Sequence, residues 1–425
     1  MTTSNSAVEG SIYRVQGPQT IADVERELTE IEAQRPLRLQ VPVRPGKWWF
    51  GGEAALIQLL ITWGRQHANA TLVTHIGETE APTKQLERLV SRPFGLVAVW
   101  MARDVTDRAG SRALKVPANR ASEAEIDRMW FGRRMQPEVC QPTLWAGTED
   151  DLESPEVASV GDRVFLASID HHPRWRVPPC YFPTGKVRYR DDFVALANSM
   201  AKKATSGRGG SPITSDVRRP LGAILHELFK NTHEWARTDE DGVPLLRSVR
   251  GILAQGHSWA EQEAMQAADG SPALAEYLTA PGVRASGGRW RFLEVSVFDS
   301  GPGLARRWFS GHPGGAADPA SPTPEEECQA CVECFKRWNS STLAGHKGLG
   351  LHEVMRTLSH LNAFFRVRTG RLSLYRDFVA WPYAGSVGKD CSLTDWTIRS
   401  GSLTPLALAG GVLYTMLIPI RGHPN

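Results

Sequence analysis

The sequence predicts an α/β protein built as two α/β units in series, a smaller one followed by a larger one. Two features carry that expectation. Between residues 37 and 102 short apolar runs alternate with helical ones, the order expected of a small α/β unit. From residue 190 onward a long helical pattern is followed by buried strand-like runs that end in glycine-rich turns.

In chain order, residues 1–36 are polar and end in a glutamate-rich helical stretch at 21–33. Alternation at 37–43 predicts a strand, and 52–67 a helix with Ala54, Ala55, Leu56, Leu59, Leu60 and Trp63 on its apolar side. Strands are expected at 70–76 and 96–102, with a helix at 83–90 between them. Residues 103–165 carry a helix at 122–131 and no nameable chemistry, and the proline and glycine spacing at 180–190 marks a junction. A helix at 191–203 leads to the loop 205–212, which reads as a flexible connection. Beyond it, strands are expected at 248–255, 291–298, 363–369, 372–375 and 396–400, with a helix near 259–278. The apolar run 405–420 reads as a strand pair, too short for a spanning helix.

The helix expected at 221–237 sorts into three faces at about 100° per residue. Leu221, Ile224, Leu225, Leu228 and Trp235 form an apolar stripe that includes Thr232, and His226, Lys230, His233 and Arg237 stand opposite. Between them Glu227, Asn231 and Glu234 form one row at i, i+4, i+7. An amide between two carboxylates suits a hard divalent cation, and a carboxylate there can orient a water. An amphipathic helix with a polar margin gives the same pattern.

Two later stretches decide between these readings. The strand at 291–298 ends in Asp299-Ser300-Gly301-Pro302-Gly303, and Gly345-His346-Lys347-Gly348-Leu349-Gly350 runs into a helical pattern at 352–361. In this order the three motifs resemble the GHKL superfamily of ATP-binding domains, which includes gyrase-type topoisomerases, heat-shock chaperones, histidine kinases and MutL-type repair proteins. Glu227 and Asn231 match its N box, and residues 299–303 and 345–350 match its two glycine boxes. The run 227–231 is also similar to the N box of the mitochondrial dehydrogenase kinases, although the second glycine loop departs from theirs.

The resemblance covers roughly residues 190–420. It implies a Bergerat-type α/β sandwich, with a mixed, largely antiparallel sheet and helices on one face, and a lid at about 304–347. It implies ATP and Mg²⁺ as ligands: Asp299 reading the adenine amino group, Asn231 holding the metal, and Glu227 acting on the attacking water. Gly301 and Gly303 would let the backbone approach the nucleotide. The backbone of Gly348, Leu349 and Gly350 would meet phosphate at a helix N-terminus. Lys347 would contact the outer phosphates or face solvent, and Thr415, on the sheet's closing strand at 411–419, would lie near the nucleotide.

Within the lid, Cys328, Cys331 and Cys334 form CxxCxxC, a spacing open to zinc or iron–sulfur ligation. They also fall with Phe335 and Trp338 on one face of a helix, and packing is the expected role. His312 or His346 would supply a fourth ligand if a metal were bound.

Composition bounds the rest. A net charge of +3 over 425 residues argues for neither nucleic acid nor an anionic membrane. The polar start shows no secretory apolar run, and six scattered and bunched cysteines form no disulfide framework, so a cytoplasmic protein is expected. The expected activity is that of a regulatory ATPase. Its protein partner would bind through 37–180 or the lid, and a homodimer is one arrangement open to it. The alternatives are a protein kinase and a non-hydrolysing ATP-bound adaptor.

Overall fold

A computed structural model describes residues 11–17, 19–42, 46–131, 159–160, 163–170, 178–205, 213–268, 270–281, 283, 289–312, 314–336, 350–383, 392–397 and 402–420. The chain opens with β1 (Ile12–Arg14), α1 (Ile21–Gln34), β2 (Arg38–Gln40), α2 (Gly52–Gln66) and β3 (Thr71–Val73). It continues through α3 (Thr83–Val90), α4 (Pro93–Met101), β4 (Asp104–Thr106) and α5 (Lys115–Phe131). The four strands form a parallel sheet in sequence order. Tyr13, Leu39, Leu72 and Val105 stand in register across it as one row. Crossovers that always step to the next neighbour, all of one hand, collect their helices on one face.

Residues 1–36 are therefore not merely a polar leader: β1 is the first strand of this sheet. Thr20 and Asp23 start α1 with a reciprocal capping box. The stretch at 96–102, expected as a strand, is the helix α4. Pro93 stands in its first turn and every residue from Pro93 to Met101 is buried. A short run that is apolar all round has no period to tell helix from strand.

The second sheet is built from β5 (Ser159–Val160), β6 (Arg163–Ile169), β7 (Val249–Trp259), β8 (Trp290–Phe298), β9 (Phe364–Gly370), β10 (Leu372–Asp377), β11 (Thr394–Asp395) and β12 (Ala409–Pro419). Its helices are α6 (Arg190–Thr205), α7 (Ser215–Trp235), α8 (Glu261–Ala267), α9 (Pro272–Thr279), α10 (Leu304–Gly311), α11 (Pro324–Phe335) and α12 (Gly350–His360). The strand order is β11-β10-β9-β12-β8-β7-β6-β5, and every pairing is antiparallel.

Four expectations change here. The sheet is antiparallel throughout its described strands rather than mixed. Residues 405–420 give one strand, β12, and it sits between β8 and β9 rather than closing the sheet. The helix near 259–278 is two helices, parted where Gly270 takes φ 78° and Ser271 caps α9. Strand β6, grouped by sequence with residues 37–180, pairs with β7, so this sheet begins before the junction at 180–190.

Helices lie on both faces of this sheet, not one. On the first face, α6 and α7 pack over β6, β7 and β8, with α12 against α7. On the second face lies α2, whose residues Gly52 to Gly64 are all buried. Gln58 Nε2 donates to the Arg368 carbonyl at 3.0 Å, and the Gly410 N–H donates to Thr62 Oγ1 at 2.9 Å. Glu25 of α1 pairs with Arg366 at 2.9 Å and Arg368 at 3.0 Å, and Arg163 reaches Glu53 at 2.9 Å. Among the described residues no helix is long and apolar enough to cross a membrane.

Candidate functional site

Helix α7 buries Leu221, Ile224, Leu225, Leu228, Phe229 and Thr232. It packs tightly on α6 because residue 222 is glycine: a Cβ there would stand 2.5 Å from Val194 Cα. Glu227 and Asn231 lie half-buried at the margin of this face, while Glu234, the third member of the row, is exposed. Burial pushes the Glu227 carboxyl upward. The hydrogen bond and charge of His226, with Lys230 and Arg190, outweigh that and hold it below the usual carboxylate range. Glu227 is therefore ionised at neutral pH, with His226 Nδ1 3.1 Å from Oε1.

Gly350, the first residue of α12, lies directly against this pair. A Cβ on it would stand 2.9 Å from Glu227 Oε2 and 3.8 Å from both Oδ1 and Nδ2 of Asn231. The close approach of the two helices here thus depends on glycine.

The glycine-rich turn 299–303 lies at the C-terminal end of α7. Asp299 follows β8 and is buried, and its Oδ1 accepts N–H bonds from Gly301 at 2.8 Å and Val412 at 3.2 Å. Its Oδ2 receives no donor from the described residues. Burial dominates its titration and lifts the carboxyl to about 6. A Cβ on Gly301 would stand 2.7 Å from Ala236 Cα, at the C-cap of α7. Gly303 takes φ 92°, beside Thr369 Oγ1, which accepts the Leu304 N–H at 3.0 Å as α10 begins. From Glu227 to Ala236 the axis of α7 advances about 14 Å, the scale of a nucleoside triphosphate from base to terminal phosphate.

Two side chains that sequence reasoning missed support the turn. Arg65, in the last turn of α2, donates to the Gly301 carbonyl, and its charge acts on Asp299. Ser300 Oγ donates to the Val249 carbonyl at 2.7 Å and accepts the Val249 N–H at 2.9 Å. Arg65 belongs to no motif, Ser300 stands inside the run 299–303 at a position given no role, and both act on backbone brought close only by the fold.

Thr415 is not part of this arrangement. It pairs in register with Ser296 and Arg366 and takes a hydrogen bond from Ser296 Oγ at 3.2 Å. Its neighbour is Gly51 of the α2 layer, so it faces the side of the sheet away from α7. Lys347, Gly348 and Leu349 lie outside the described residues, as does His346.

The cysteine-bearing helix α11 is docked on the sheet. Cys331 is buried, and Cys328 and Cys334 are half-buried against the core. Phe335 meets Phe365 edge-on at 5.9 Å. Glu327 bonds the Arg371 side chain and backbone, each at 3.0 Å. Burial raises all three thiols, Cys334 to about 12. His312 stacks on Trp308 at 3.7 Å. Among the described residues no group of three or more His, Cys, Asp or Glu side chains is arranged to hold a metal.

The residues present fit an adenine nucleotide with magnesium. The Asp299 carboxylate oxygen that receives no donor from the described residues suits an amino group. Carboxylate and amide oxygens beside a glycine at a helix start suit a hard cation and phosphate. Compared with protein-family models, with curated proteins and with solved structures, the chain matches none of them.

Proposed function

We propose that the chain is an ATP·Mg²⁺-binding regulatory ATPase with a Bergerat-type nucleotide site. The observation that carries this reading is the pair of clusters along one side of α7. Glu227, Asn231 and Gly350 meet at one place, and the buried Asp299 stands at the helix end. Asp299 Oδ2 accepts the adenine amino group, and the same oxygen repels the O6 acceptor of guanine. Asn231 Oδ1 would hold magnesium, and that ion would supply charge neutralisation at the phosphates. Glu227, ionised and beside the start of α12, orients a water and takes up its proton. Its position favours hydrolysis over a purely structural nucleotide, because a binding-only site has no use for a carboxylate beside the phosphate end.

The test is ATP affinity and single-turnover hydrolysis for the wild type, Glu227→Gln and Asn231→Ala. Glu227→Gln should keep its ATP and lose hydrolysis by about 10²–10⁴-fold. Asn231→Ala should bind ATP more weakly in magnesium. Wild-type turnover no faster than that of Glu227→Gln, with both binding ATP, would leave the adaptor reading in place. Label passed to an added protein would move the assignment to a kinase.

A further inference from the structure

A concavity of about 1370 Å³ opens between α6, the first two turns of α7 and the outer side of α12. Each wall contributes arginine: Arg190 from α6, Arg218 and Arg219 from α7, and Arg356 from α12. The carboxylates in the lining are Asp191 and Glu353. Glu353 is shared between Arg356 at 2.6 Å and Arg190 at 3.8 Å, so positive charge is in excess. The side chains of Arg218 and Arg219 make no ion pair or hydrogen bond with any described residue, and Arg218 Nε is buried without a partner among them. An arginine nitrogen held out of water and unpaired is an unmet demand for an acceptor.

We infer that this groove docks a carboxylate-rich segment of a partner protein. Its size exceeds the usual range for small-molecule pockets, roughly 300–1,000 Å³. Its cations stand on three separate walls, with Asp191 and Glu353 between them. That layout matches single charges spaced along a chain better than one compact dianion, which the interposed carboxylates would repel. Unpaired among the described residues, the guanidinium forks of Arg218 and Arg219 can take side-chain carboxylates in bidentate fashion. The groove abuts the nucleotide site, since Arg190 contributes to the field at Glu227. Docking itself requires no nucleotide.

The test uses the full chain without ATP and a short fluorescein-labelled peptide alternating glutamate and serine, read by anisotropy. Saturable binding that weakens with salt is expected, with none for the peptide in which glutamine replaces glutamate. The double variant Arg218→Glu/Arg219→Glu should bind about tenfold more weakly or worse, with its melting temperature and ATP affinity kept. Arg190→Glu provides a second variant on another wall, should the double variant fail to fold. Equal binding of the glutamine peptide, no binding of the glutamate peptide, or unchanged affinity in the folded variants would each overturn the inference. So would a phosphoserine peptide that binds far more tightly than the glutamate one, which would mark a phosphate site instead. Loss of ATP binding in the wild type would sink the nucleotide reading and leave the groove untouched.

Discussion

Replacing Asp299 with asparagine should move stability and nucleotide affinity in opposite directions. The Asp299 carboxyl is lifted from its ordinary 3.8 to about 6 by burial, so the folded chain holds its proton more tightly than the unfolded one. Stability from this group is then fully present below its unfolded value and is lost as pH rises through about 6. The interval corresponds to about 3 kcal/mol at about pH 8, and to roughly half of that at about pH 5. Asparagine keeps an oxygen for the Gly301 and Val412 N–H groups but carries no charge. The variant should therefore be the more stable protein by about 3 kcal/mol at about pH 8, with the margin shrinking towards about pH 5. On the proposed nucleotide reading its new NH₂ would face the adenine amino group, donor against donor, a mismatch of about 1–3 kcal/mol, or roughly five- to 150-fold in affinity. Urea melts at the two pH values and an ATP titration measure both effects. A variant less stable at about pH 8 would refute the burial argument, and undiminished ATP affinity would refute the assignment of the base.

Three further outcomes are expected. Gly350→Ala brings a methyl group within 2.9 Å of Glu227 Oε2. Its carboxylate must swing aside, so single-turnover hydrolysis should fall while the melting temperature holds, and an unaltered rate would separate Gly350 from the site. Glu25→Ala strands the buried Arg366 and Arg368, at a cost of about 3–5 kcal/mol. Burial opposes ionisation of Glu25, but Arg368 and Arg366 outweigh it and hold the carboxyl below its ordinary 4.5. Its contribution is present above that value and is lost as pH falls below it, so urea midpoints of wild type and variant should converge in acid. Cys331, buried with its thiol raised, should stay unlabelled by a thiol reagent in the native protein and react once denaturant is added. Fast native labelling would mean that α11 does not hold its packed position.

Elements whose sequence carries a period or a cap were legible. The expected helix at 83–90 coincides with α3, and those at 21–33 and 52–67 differ from α1 and α2 by one residue. Apolar segments without a period were not, as α4 shows. Thr415 is more instructive. Nearly every residue of β12 is buried because helices cover both sides of its sheet. The strand therefore offers no alternation from which to read facing, and one step along it changes the side. The side-by-side placing of Glu227 and Asn231 was legible because a helix fixes spacing locally, whereas Gly350 was singled out by its glycine-rich loop and its approach to them was not. The contribution of Arg65 was invisible, since it depends on α2 lying under a sheet whose β8 and β12 come more than two hundred residues later.

The burial of α2 decides how the molecule can be cut. A polypeptide starting at residue 190 would keep Glu227, Asn231 and Asp299, but would lose β6 from the edge of β7. It would also lay bare Phe298, Leu413 and Leu417 where α2 now lies. An open strand edge beside a bare apolar face is a recipe for aggregation. The half that carries Glu227, Asn231 and Asp299 is thus not separable, and both sheets should melt in one transition.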